Sequence, residues 1–164
     1  MIFLVSLVIT LGLTFFELSF GHHFLIFNST AYITLAFLVS LSFRSRNYFQ
    51  IFLALIAGLL FDFASVYEFP VFTTIFLMVM LLGRVIFYRK TSYKSLSTYI
   101  IFLLISSLMI YLISFPILFD NNFLGWQNYL ITTVTGVLLT ILVGLVIYRI
   151  LEPYYNWLDR KTEK

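Results

Sequence analysis

The sequence predicts an all-α membrane protein, with six transmembrane helices in one compact bundle. Three observations carry that prediction. Of the 164 residues, 62% are hydrophobic and 10% are Asp, Glu, Lys or Arg, where a soluble domain carries about 25% charged residues. The chain divides at its charges and turn residues into six apolar stretches, each near the roughly 20 residues that a bilayer-crossing helix needs. All ten basic residues fall at or after the ends of the second, fourth and sixth stretches.

Composition excludes several classes at once. A small domain has a large surface for its volume, so a water-soluble globule cannot hide this much apolar side chain, and the mean hydropathy is +1.03. A soluble enzyme and a nucleic-acid module are ruled out on that ground. Twenty Phe and eleven Tyr argue against disorder, which goes with few aromatics. Cys is absent, which removes disulfides, thiolate metal ligands and a Cys nucleophile.

The first span is expected from Met1 to Phe20, with Glu17 near its end and Gly21-His22-His23 interrupting it. The second runs from Phe24 to Phe43. Asn28-Ser29-Thr30 weakens its first turn, and Arg44-Ser45-Arg46-Asn47 ends it. Tyr48 to Tyr67 is the third, with Asp62 inside. Glu68-Phe69-Pro70 breaks the chain, and Pro70 suits the first turn of the fourth span, Pro70 to Tyr88. The fifth, Leu96 to Phe119, contains Pro116 and is expected to kink there. Asp120-Asn121-Asn122 turns the chain into the sixth, Trp126 to Ile150, which Glu152-Pro153 is expected to end. Strands of a membrane barrel alternate apolar and polar residues. Ile51 to Leu60 is a nearly unbroken apolar run, so helices are the better reading.

Arg44 and Arg46 follow the second span; Arg84, Arg89, Lys90 and Lys94 cluster at the end of the fourth; Arg149, Arg160, Lys161 and Lys164 lie at or beyond the end of the sixth. The turns at 21–29, 67–70 and 120–125 carry none. Positive charge is retained on the cytoplasmic side, which predicts a multi-pass inner-membrane protein of six spans with both termini in the cytoplasm. No basic n-region or small-residue cleavage site precedes the first span, so that span is expected to stay in the mature protein. One transmembrane domain, 1–151, is expected, followed by a short cytoplasmic juxtamembrane tail, 152–164. That tail is read as an interfacial helix whose basic end favours anionic lipid.

Asp62 is the most informative residue, because an acid at the centre of a spanning helix costs about 2.5 to 3.5 kcal/mol on insertion scales. Ala54, Gly58, Asp62 and Ser65 share one face at helical spacing. Small residues on that face let another backbone approach. Two readings stand: a proton or substrate site, or a carboxyl bonded within the bundle, including one that caps the amino end of a neighbouring helix. Glu17 is read as snorkelling to the interface or meeting His22 or His23. Adjacent histidines diverge on a helix and no Cys completes a ligand set, so no metal site is expected.

Ser6, Thr10 and Thr14 recur every four residues on the first span, and Gly136, Thr140 and Gly144 do so on the sixth. Such small-residue faces serve close helix packing, either inside the bundle or against a partner. Tyr67, Tyr88, Tyr93, Trp126, Tyr129, Tyr154, Tyr155 and Trp157 fall at expected helix ends and read as an interfacial aromatic belt. No phosphate loop, nucleophile elbow or zincin motif is present. No catalytic residue, no cofactor and no nucleic-acid partner is expected.

The order of these features resembles the rod shape-determining protein MreD family of bacteria. The stretch that carries the resemblance is Ala57-Gly58-Leu59-Leu60-Phe61-Asp62-Phe63 followed by Glu68-Phe69-Pro70, a Gly-x-x-x-Asp helix leading through a Pro turn into the next. It covers about 20 residues in motif and the whole chain in architecture. Two positions depart from the pattern: Val71-Phe72-Thr73 stands where members often have Gly, and Asn28-Ser29 where they often have Pro. The resemblance implies a non-enzymatic subunit of the cell-elongation complex, supporting cell shape and lateral peptidoglycan synthesis. It implies binding to the single-span scaffold MreC and, indirectly, to MreB filaments, the glycosyltransferase RodA and its transpeptidase. It also implies a fold like that of the substrate-binding S components of energy-coupling-factor vitamin transporters. Such an S component is the alternative function, although Ser6, Thr10 and Thr14 match its Ala-rich docking face poorly. A small membrane enzyme of lipid processing would need a catalytic pair that the sequence does not present.

Overall fold

The computed structural model describes residues 2–20, 29, 31–44, 48–65, 70–89, 95–120 and 126–162. They form six helices: α1 (Ile2–Phe20), α2 (Ile33–Arg44), α3 (Phe49–Ala64), α4 (Val71–Arg89), α5 (Leu96–Asp120) and α6 (Trp126–Thr162). The protein is all-helical over these residues. Three helices, α1, α5 and α6, contain stretches long and apolar enough to cross a membrane, and α2, α3 and α4 carry shorter apolar stretches.

Local chemistry sets the boundaries. Ser65 leaves the helical region (φ −87°, ψ 156°), and its N–H bonds back to the Phe61 carbonyl at 2.9 Å, which ends α3. Pro70 stands immediately before α4, where its missing N–H costs nothing. Its carbonyl accepts the Thr74 N–H at 3.1 Å and the Thr74 hydroxyl at 2.7 Å. Ser95 caps α5, its Oγ accepting the Thr98 N–H at 3.3 Å.

Two expected boundaries are corrected. The second span is not one continuous helix: Ala31 and Tyr32 are not helical, residues 24–28 lie outside the described residues, and α2 starts at Ile33 with 12 residues, about 18 Å at 1.5 Å per residue, too short to cross the roughly 30 Å hydrocarbon core alone. Nor does Glu152-Pro153 end the last helix, because α6 runs unbroken through Pro153 to Thr162. Proline removes one N–H and crowds one carbonyl, a loss that this helix absorbs. The expected boundary between a membrane domain and a tail at 151/152 therefore falls inside one continuous helix. Likewise α5 continues past Pro116 to Asp120.

The core lies around the shortest helix. Every residue from Thr34 to Phe43 is buried, and among the described residues α2 packs against each of the other five helices. The rest surround it in the order α1, α3, α4, α5, α6, with no described contact closing α6 onto α1. Leu35, Leu38, Leu53, Phe76, Met80, Leu103 and Ile110 fill the centre.

Apolar side chains cover the outside as well as the centre, and a set of polar ones is buried beside the apolar core. Ser6, Thr10, Thr14, Glu17, Thr34, Ser40, Ser106 and Thr140 are buried, whereas Leu130, Val134, Leu138, Leu142, Val146 and Ile150 form an exposed ridge along α6. That ridge covers 20 residues of axis, about 30 Å, which matches a hydrocarbon thickness. Buried hydroxyls return their bonds to their own helices: Thr10 to the Ser6 carbonyl at 2.7 Å, Thr14 to Thr10 at 2.8 Å and Thr140 to Gly136 at 2.8 Å. Such a bond offsets the cost of burying a hydroxyl.

Candidate functional site

The acid near the end of α3 meets the start of α4. One oxygen of Asp62 accepts the Phe72 N–H at 2.8 Å; the other accepts the Thr73 N–H at 2.9 Å and the Thr73 hydroxyl at 2.6 Å. Residues 72 and 73 are the second and third of α4, where N–H groups lack intrahelical partners. A negative charge there also complements the positive end of the helix dipole. Of the two readings that the sequence leaves open, the geometry is that of a cap on a neighbouring helix.

Gly58 makes the cap reachable. It is one turn before Asp62, and a Cβ added there would overlap the backbone of Thr73, lying 2.8 Å from its nitrogen. Ala54 is fully buried on the same face. Ser65 completes it, its hydroxyl donating to the Asp62 carbonyl at 3.0 Å. At the opposite end of this hairpin the Arg84 guanidinium stacks over the Tyr48 ring, 3.3 Å from its centroid. Gln50 ties the start of α3 to α2 by donating to the Leu41 carbonyl at 2.8 Å. Helices α3 and α4 are thus fixed to one another at both ends.

Glu17 repeats the arrangement in the preceding hairpin. It is 7% exposed, and its carboxylate accepts the Thr34 N–H at 2.8 Å, at the second residue of α2. The expectation that it snorkels to the interface is corrected by this burial. His22 and His23 lie outside the described residues. Each acid therefore sits in the last turns of one helix and serves the first turn of the next.

The two small-residue faces both turn inward. Ser6, Thr10 and Thr14 are buried at 2%, 0% and 0% exposure, on a helix whose described neighbours are α2 and α3. On α6, a Cβ at Gly136 would overlap the hydroxyls of Tyr111 and Ser29, and one at Gly144 would overlap Leu103 and lie 3.0 Å from the Tyr99 hydroxyl. Thr140 Oγ1 accepts the Tyr32 N–H at 3.1 Å. Neither stripe is left free for another chain.

Several participants carried no sequence signal. Thr73 is the third residue after Pro70, a position that becomes meaningful only once Asp62 is known to reach it. Tyr99 and Tyr111 lie within an apolar span, and their hydroxyls are spent inside. Tyr99 donates to the Gly144 carbonyl at 2.9 Å and contacts Ser40 Oγ at 2.8 Å, and Tyr111 meets Ser29 Oγ at 3.0 Å. Tyr129, expected in the interfacial belt, is instead buried, and its hydroxyl donates to the Tyr111 carbonyl. The side chains of Tyr67, Tyr88, Tyr93, Trp126, Tyr154, Tyr155 and Trp157 lie outside the described residues.

Fold and site together define a protein that is all-helical over the described residues, with three helices long and apolar enough to cross a membrane, in which a buried Glu17 and a half-buried Asp62 clamp successive helices. No protein-family model, curated protein or solved structure matches the chain.

Proposed function

We propose that this chain is a multi-pass subunit of the bacterial inner membrane that works without catalytic turnover in the cell-elongation complex, as the MreD-like stretch implies. The observation that carries the reading is the joint use of Gly58, Asp62 and Pro70. The residues that bear the resemblance form one local unit, in which Gly58 admits α4, Asp62 caps it and Pro70 starts it. A stretch held together for packing supports a scaffold role. The buried Glu17 and the half-buried Asp62 are both occupied by backbone donors, which favours structural over acid–base duty.

In this reading all six helices are embedded, with both termini cytoplasmic. The short α2 is surrounded by protein, so it need not match the bilayer by itself. The partner is an MreC-like scaffold with one membrane span. Through it the chain is linked to MreB-like filaments, a RodA-like glycosyltransferase and its transpeptidase. Since both small-residue stripes are used internally, the scaffold helix docks on an outer apolar face.

Pull-down of the tagged protein from its native membrane in mild detergent, read by mass spectrometry, tests the function. Recovery of a cell-wall scaffold is the expected result. Recovery of an ATP-binding-cassette pair with a coupling subunit would overturn it in favour of a vitamin-transporter S component. Topology is tested separately with reporter fusions: cytoplasmic signals are expected after Lys94 and Lys164 and an external one after Asn122. An external signal at Lys164 would reject the orientation.

A further inference from the structure

We draw no further inference here: the strongest candidate, the exposed face of α1 around Gly12, where an added Cβ would meet nothing within 4 Å, is an unpartnered apolar surface, and nothing in the structure shows what covers it.

Discussion

Asp62 and Thr73 are joined twice, through the Thr73 N–H at 2.9 Å and its hydroxyl at 2.6 Å, both on the same carboxylate oxygen. The pairing makes sense of an acid placed near the carboxyl end of its own helix. There it opposes the α3 dipole, whereas at the amino end of α4 it complements the dipole and satisfies backbone donors that lack intrahelical partners. Asp62 therefore belongs energetically to the helix that it does not sit on.

Removing that carboxylate tests the assignment. Asp62→Ala strands two backbone donors and a hydroxyl, and loss of a cap costs about 0.5 to 2 kcal/mol. Asp62→Asn keeps one acceptor oxygen but turns an amide donor toward other donors, so it is expected to fall between alanine and the native protein. Thermal unfolding of the purified protein in detergent reads the order. An alanine variant that melts with the native protein would show that the cap contributes nothing.

Two glycines make a matched comparison. Gly58→Ala drives a methyl into the Thr73 backbone, and overpacking of this kind costs about 1 to 3 kcal/mol. It also lifts α4 off the Asp62 carboxylate. Gly12→Ala meets no atom and gains helix propensity, about 1 kcal/mol. The first variant is expected to lower the melting temperature and the second to hold or raise it. Equal effects at both positions would contradict the close approach of α3 and α4.

Glu17 provides an independent test of the same device. Glu17→Leu fills the space but leaves the Thr34 N–H without its acceptor, at a cost of about 1 to 3 kcal/mol for a buried unsatisfied group. Glu17→Gln retains an acceptor and is expected to be milder. Hydrogen exchange at the first turn of α2 should accelerate in the leucine variant before exchange in α5 does. Uniform acceleration across the helices would mean that Glu17 acts on global stability and not on that terminus.

Apolar run length made the six helices legible in the sequence, but it could not place the start of α2. Phe24-Leu25-Ile26-Phe27 is as apolar as Leu35-Ala36-Phe37-Leu38. The start of α2 is marked by the Glu17 acceptor, contributed by another helix 17 positions earlier. The stripe at Gly136, Thr140 and Gly144 was visible as a stripe, yet its occupants, Ser29, Tyr111, Tyr99 and Leu103, come from distant segments. Tyr129 was misplaced because a position near a helix end does not say which side faces lipid. Pro153 was read as a terminator because proline usually is one, whereas α6 continues through it. The Asp62 face was legible as a helical spacing, and the Thr73 partner was not, because it rests on tertiary contact.

The Ser40–Tyr99 pair leads to a less intuitive expectation. Two hydroxyl protons serve three short contacts: Ser40 to the Ala36 carbonyl at 2.8 Å, Tyr99 to the Gly144 carbonyl at 2.9 Å, and the two oxygens to each other at 2.8 Å. Only two of the three can be hydrogen bonds at one moment. Deleting either hydroxyl leaves the other still donating to its own carbonyl, so no remaining donor is stranded. Tyr99→Phe and Ser40→Ala are therefore each expected to cost little, near the 0.6 kcal/mol typical of side-chain hydrogen bonds within membrane proteins, taken as about that size. Because each deletion removes a different carbonyl bond, their coupling should stay near the bottom of the roughly 0.5 to 3 kcal/mol range found for residues in contact. Gly144→Ala, which drives a methyl into Leu103 at the same site, should cost more than either. A double-mutant cycle on unfolding in mixed micelles supplies the numbers. A coupling above about 1.5 kcal/mol, in the upper part of the range for contacting residues, would mean that the Ser40–Tyr99 contact is itself the dominant bond and that the two carbonyl contacts are incidental.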